Sequence, residues 1–155
     1  MEVGVDRVEA AYRAMHPRLW RALLSYAGSA DVASDAEAEA FAQAIRRGDQ
    51  IDDVERWVWR AAFRIAGGLL AERRRVTPLV PDLAGDASAP LGEFLALLDG
   101  LPAQQRACIA LRYVGRFTPA EIAELIDTTP GTVRVQLHRA HRALRASIDQ
   151  EADRG

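Results

Sequence analysis

Arg134, Arg139, Arg142 and Arg145 stand close together near the end of the chain, with His138 and His141 between them and no acid in the run. Side chains of this kind break no bonds. Guanidinium groups hold polyanions, meeting a phosphate or the guanine edge with two parallel hydrogen bonds. Val133, Leu137, Ala140, Leu144 and Ile148 recur at steps of three and four, which predicts a helix with that apolar stripe facing a core. Its other side then carries Arg134, His138, Arg139, His141, Arg142 and Arg145. The competing reading of such a face is a solvated basic surface with no partner. Covalent chemistry has no comparable signature. The three histidines are His16, His138 and His141, and no nucleophile-base pair, metal-ligand spacing or glycine-rich nucleotide loop occurs. The expectation is a binding protein without catalytic residues, metal or cofactor.

The elements that must position this face lie just before it. Thr118-Pro119-Ala120-Glu121 has the form of a capping box with proline at the first helical position, and Phe117 and Ile122 have the spacing of a hydrophobic staple. That short helix should end near Asp127. Thr129-Pro130 repeats the cap-and-proline start within a few residues, so two helices must cross steeply through a tight turn, as in a helix-turn-helix. The second helix of such a unit enters the DNA major groove.

Upstream, Asp6 to Ala27 reads as helix, with Pro17 either kinking it or dividing it in two. Asp31 or Ser34 is the expected cap of a second helix running to Arg47, acidic at its start and basic at its end as the helix dipole favours. A loop from Gly48 to Asp52 precedes a long helix with Val54, Trp57, Val58, Ala61, Ala62, Ile65, Leu69 and Leu70 on its apolar side. Trp57 is its expected core indole. Arg56, Arg60 and Arg64 lie on the opposite side, either for nucleic acid or as a solvated face paired with Asp52, Asp53 and Glu72. Gly67-Gly68 suggests a close helix neighbour or a bend. Residues 76–90 are rich in proline and small residues and read as a linker. Short helices over 91–98 and 103–113 should support the helix-turn-helix. The expected fold is therefore all-α, with a helical domain over 1–75, the linker 76–90 and a second domain over 91–150.

The net charge of -2 conceals an uneven distribution. Residues 1–75 are balanced, 76–101 carry four acids and no base, and 102–148 carry seven arginines against three acids. A basic C-terminal module thus follows an acidic connector. Every basic side chain is Arg, which an Ala-rich chain from a GC-rich coding sequence explains most simply. Cys108, the single cysteine, sits in an apolar run and reads as a small core residue. No signal pattern or long apolar run is present, so a cytoplasmic protein without membrane insertion is expected.

These segments together resemble the extracytoplasmic-function sigma factors, the smallest class of the sigma-70 family. LPAQQRACIALRYVGRFTPAEIAELIDTTPGTVRVQLHRAHRALR resembles the family's region 4. SDAEAEAFAQAIRRGDQIDDVERWVWRAAFRIAGGLLAERRR resembles region 2, where Asp35, Glu39 and Phe41 match the acidic helix, Arg47 to Asp49 the start of the specificity loop, and Trp57, Val58 and Ala62 the helix after it. The sequence departs from the family's usual residues at Ala36, Glu37, Ala38, Arg64, Gly68, Val135 and Gln136, and Asp127 stands where a turn glycine is usual. The resemblance implies an initiation subunit that binds core RNA polymerase through its clamp and flap, with Asp35, Glu39 and Phe41 on the clamp side. Gly48, Asp49 and Gln50 would receive a flipped base of the minus-10 element and Arg56, Arg60 and Arg64 would follow the backbone. Thr132, Arg134, Val135, Gln136, His138, Arg139 and Arg142 would meet the minus-35 major groove of double-stranded promoter DNA. There Gln136 suits adenine, Arg134 or Arg139 guanine or phosphate, Val135 a thymine methyl, and Arg142 phosphate. An anti-sigma protein is a further implied partner. The alternatives are a helix-turn-helix regulator that dimerises and ignores polymerase, and a sigma-like interaction protein that no longer opens promoters.

Overall fold

The computed structural model describes residues 2–76 and 89–154, all helix and short turns with no strand among them. The proposed linker lies almost wholly outside the described residues. Seven helices follow in order: α1 (Glu2–Ala27), α2 (Ala30–Arg47), α3 (Val54–Val76), α4 (Ala89–Asp99), α5 (Ala103–Ile109), α6 (Pro119–Leu125) and α7 (Pro130–Arg154). The first three pack on one another, and α5, α6 and α7 form the second group.

Helix α1 is continuous through Pro17, neither divided nor ended there. Pro17 is exposed, so the hydrogen bond it cannot donate is lost on the solvent side, where water can meet the free carbonyl. Met15, Leu19, Ala22 and Leu23 are buried on the inner face. The cap of α2 is Ser29, whose hydroxyl accepts from the Val32 N–H at 3.3 Å, rather than Asp31 or Ser34. Alanines 33, 36, 40 and 44 are fully buried on α2, and so small a surface lets α1 and α3 approach closely. Asp53 caps the start of α3 by accepting from the Arg56 N–H at 3.1 Å. Helix α3 runs on through Gly67-Gly68, where a Cβ on Gly67 would stand 3.1 Å from the Tyr26 hydroxyl. Close approach, not a bend, is what that glycine permits.

The capping box forms as expected, with Thr118 N–H donating to Glu121 at 2.9 Å and Glu121 N–H donating to the Thr118 hydroxyl at 3.2 Å. Helix α5 widens into a π turn over Ala110–Val114 that leaves Tyr113 exposed. On α7, Val133, Leu137 and Ala140 are buried and Leu144 partly so, but Ile148 is exposed. The expected apolar stripe thus stops one turn early, because α7 projects past the elements it packs against.

One buried cluster runs through both halves. Trp59 is its largest fully buried side chain, stacked near Phe63 and edge-on to Phe117 at 4.9 Å. Arg18 lies over both aromatic faces of that pair, 5.4 Å from Trp59 and 5.7 Å from Phe117. Trp57, the expected core indole, is only half-buried and lies under Arg47. Arg106 is buried at the seam and donates to the Tyr26 and Leu101 carbonyls, joining the end of α1 to the second half.

Candidate nucleic-acid interface

Thr129 caps the start of α7, its hydroxyl accepting from the Thr132 N–H at 3.2 Å and donating to the Thr132 hydroxyl at 2.9 Å. With the first turn capped and Val133, Leu137 and Ala140 anchored, the 3.6-residue period aims Val135, His138, Arg139 and Arg142 away from the core, and all four are exposed. Arg134 and Arg145 flank them, also exposed. Among the described residues none of these four arginines forms an ion pair. Their donors are therefore free for an external anion. His141 is exposed and tied to the Tyr113 hydroxyl at 2.6 Å. Gln136 is half-buried and donates to the Gln104 side chain at 3.0 Å, so it must leave that bond to reach a base.

The arginines of α3 have a different setting. Arg56 pairs with Glu124 at 3.0 Å and Arg60 with Asp127 at 2.6 Å, both acids belonging to the helix-turn-helix. The solvated-face reading named Asp52, Asp53 and Glu72 as partners; the observed partners lie across the seam instead. Arg64 is exposed and beside a cleft of about 290 Å³ that also touches Arg60, Gln104, Phe63 and Asp127. Asp127 takes a positive φ of 54°.

Gly48, Asp49 and Gln50 form a single 3₁₀ turn, with Asp49 and Gln50 exposed. Gly48 has φ of 56°, which a residue with a side chain rarely adopts, and a Cβ on Gly4 would come 3.2 Å from its Cα. Arg7 fixes the same turn by donating to the Ile51 and Asp52 carbonyls at 2.7 and 3.0 Å. On α2, Asp35 and Glu39 are exposed. Hydrogen bonds from Gln43 and Arg46 hold the Glu39 carboxyl below the usual carboxylate range. Phe41 is buried, with the exposed Tyr12 edge-on to it at 5.0 Å, so Tyr12 supplies the aromatic surface there.

Sequence reasoning missed a buried acid on the same helix. Glu37 accepts from, or shares a proton with, His16 Nδ1 at 2.6 Å, while its other oxygen has no partner. Burial pushes its carboxyl above the ordinary range, opposed by the charge and hydrogen bond of His16. The only sequence signal was an acid among alanines on the inner side of α2. No group of three His, Cys, Asp or Glu among the described residues can hold a metal. No helix among them is long and apolar enough to cross a membrane.

Residues 91–144 match the family model of sigma-70 region 4, a span that contains both helices of the helix-turn-helix. Over 170 aligned positions the chain is 29% identical to the ECF RNA polymerase sigma factor SigL of Mycobacterium tuberculosis, covering 95% of this chain and 94% of that protein. It is 35% identical over 118 residues to the ECF RNA polymerase sigma factor ShbA of Streptomyces griseus, covering 72% of this chain and 59% of the relative. Among solved structures, the sigma factor RpoE of Bartonella quintana, crystallised with the anti-sigma factor NepR, superposes with a TM-score of 0.80. That likeness covers 91% of this chain and 96% of the other at 19% identity, and it is a likeness of fold.

Proposed function

Because the chain belongs to the extracytoplasmic-function sigma factors of the sigma-70 family, we propose that it binds core RNA polymerase and directs promoter-specific initiation of transcription in the cytoplasm. The observation that carries this is the unpaired arginine face of α7, on the second helix of a capped helix-turn-helix inside the region 4 match. In this reading α7 lies in the minus-35 major groove, with Thr132 at the helix N-terminus, where backbone N–H groups and the helix dipole favour a phosphate. Arg139 and Arg142 hold the backbone, Arg134 and His138 flank them, and Val135 offers an apolar contact to a thymine methyl. Gln136 reads an adenine once released from Gln104.

The N-terminal half supplies the minus-10 contacts. The turn Gly48, Asp49 and Gln50 receives a flipped base, and its fixing by Arg7 and by the close approach of Gly4 supports that role, since a base pocket must be held in shape before the base arrives. Arg56, Arg60 and Arg64 follow the strand. Asp35 and Glu39 face the polymerase clamp, backed by Phe41, and the region 4 half meets the flap. An anti-sigma protein is a partner on the same grounds of kinship. No cofactor enters this function, and the family consists of regulatory subunits rather than enzymes.

Run-off transcription with purified core polymerase on genomic fragments tests the proposal. The expected result is discrete transcripts that require this protein, together with co-elution of protein and polymerase in gel filtration. A dimer that ignores polymerase would point to a regulator, and a monomer that joins polymerase without yielding transcripts would point to an interaction protein.

A further inference from the structure

The two ion pairs across the seam join the arginines assigned to promoter DNA with Glu124 and Asp127 of the helix-turn-helix. Arg56 and Arg60 are one turn apart on α3, while Glu124 lies on α6 and Asp127 in the turn just after it. Their carboxylate oxygens hold the two guanidinium groups as phosphate oxygens would. Asp127 adds a second observation. Its φ of 54° is a conformation in which glycine is free of strain and most side chains are not. Aspartate is among the few residues with a side chain that tolerate it, and here its carboxylate makes the shorter of the two bonds, at 2.6 Å.

We propose that Glu124 and Asp127 act as an internal phosphate mimic: in the free protein they occupy Arg56 and Arg60 and keep single-stranded DNA off that face of α3. This rests on the reading that the arginine face meets the promoter strand. DNA gains these two arginines only by displacing the acids, so region 4 competes with nucleic acid for region 2 until something larger separates them. Both pairs are about half exposed, so salt weakens the mask and the displacement is a modest step rather than an absolute block.

The test is binding of a fluorescein-labelled single-stranded oligonucleotide of mixed sequence, followed by anisotropy at about 50 mM salt. The double variant Glu124→Gln with Asp127→Asn should bind about two- to tenfold more tightly than the natural protein, the range expected for releasing two exposed pairs. Asp127→Gly keeps the turn conformation without the carboxylate and should move affinity in the same direction, so a folding defect in one variant cannot hide the effect. In a background of Arg56→Ala and Arg60→Ala the acid substitutions should have no effect. Asp149→Asn with Glu151→Gln removes the same charge from the far end of α7 and should leave affinity nearly unchanged. No tightening, or equal tightening in the arginine-free background or in the α7 control, overturns the mask. Each of those results leaves the sigma-factor reading standing, because that is decided by transcripts and by co-elution with polymerase.

Discussion

Replacing Arg139 and Arg142 together by Ala isolates the electrostatic part of the proposed minus-35 binding. Both side chains are exposed opposite Val133, Leu137 and Ala140, and neither forms an ion pair with a described residue, so their removal breaks no internal bond. Alanine is the best helix former, and stability should stay within about 0.5 kcal/mol. Each arginine that neutralises a phosphate contributes about 0.9 to the slope of log affinity against log salt, so the double variant should have a slope lower by about 1.8. Raising salt fourfold weakens binding by about 3.5-fold for each such contact, so the natural protein should lose roughly 12-fold more affinity than the variant over that range. The assay is anisotropy on a minus-35 duplex across a salt series. Arg13→Ala serves as control, since Arg13 lies on α1 and is already paired with Glu9 at 2.7 Å. An unchanged slope in the double variant, or an equal change in the control, would refute the assignment of α7 as the groove helix.

The two indoles should separate in stability measurements. Trp59→Ala is expected to cost about 3 to 5 kcal/mol in urea unfolding, as for other large buried aromatics, whereas Trp57→Ala, half-buried under Arg47, should cost about 1 kcal/mol; the reverse order would show that the core is misassigned. Thr118→Ala removes the acceptor of the Glu121 N–H and should lower stability by about 1 kcal/mol, measured the same way. Cys108 is fully buried and its thiol is pushed up to about 11, so Ellman's reagent should label it only after unfolding, and rapid labelling of the native protein would contradict the packing. Glu37 has its folded pKa raised above the unfolded value by burial, so the fold takes up its proton before the unfolded chain does. The stability linked to this group therefore grows as pH falls from the raised value towards 4.5 and is missing at neutral pH. Glu37→Gln should flatten that part of the melting-temperature profile without lowering it at neutral pH, and a clear loss there would mean that the carboxylate is needed.

Helix positions and the helix-turn-helix were legible because local signals agreed with tertiary ones. Thr118, Glu121, Thr129 and the two prolines mark caps that the fold uses, and the stripe on α7 faces inward as its spacing demands. Helix α3 was harder. A single apolar face through Val54, Trp57 and Val58 is a sound expectation for a helix covered on one side, but α3 is covered on two, by its own bundle and by the second half. Its second stripe, Trp59, Phe63 and Ala66, has the same three- and four-residue steps and is fully or nearly buried. Periodicity alone does not announce a second partner. The seam was illegible for the same reason: Arg18, Arg106, Glu124 and Asp127 resemble ordinary surface charges until the halves meet.

The buried Arg106 has a practical bearing on how this molecule can be dissected. A truncated piece beginning near Ala89 would keep α7 but lose the Tyr26 carbonyl that Arg106 meets, and would bare the Trp59 side of Phe117. Such a fragment would carry a sticky, cationic scar that the whole protein never shows, and some of the DNA affinity measured on it would belong to the scar.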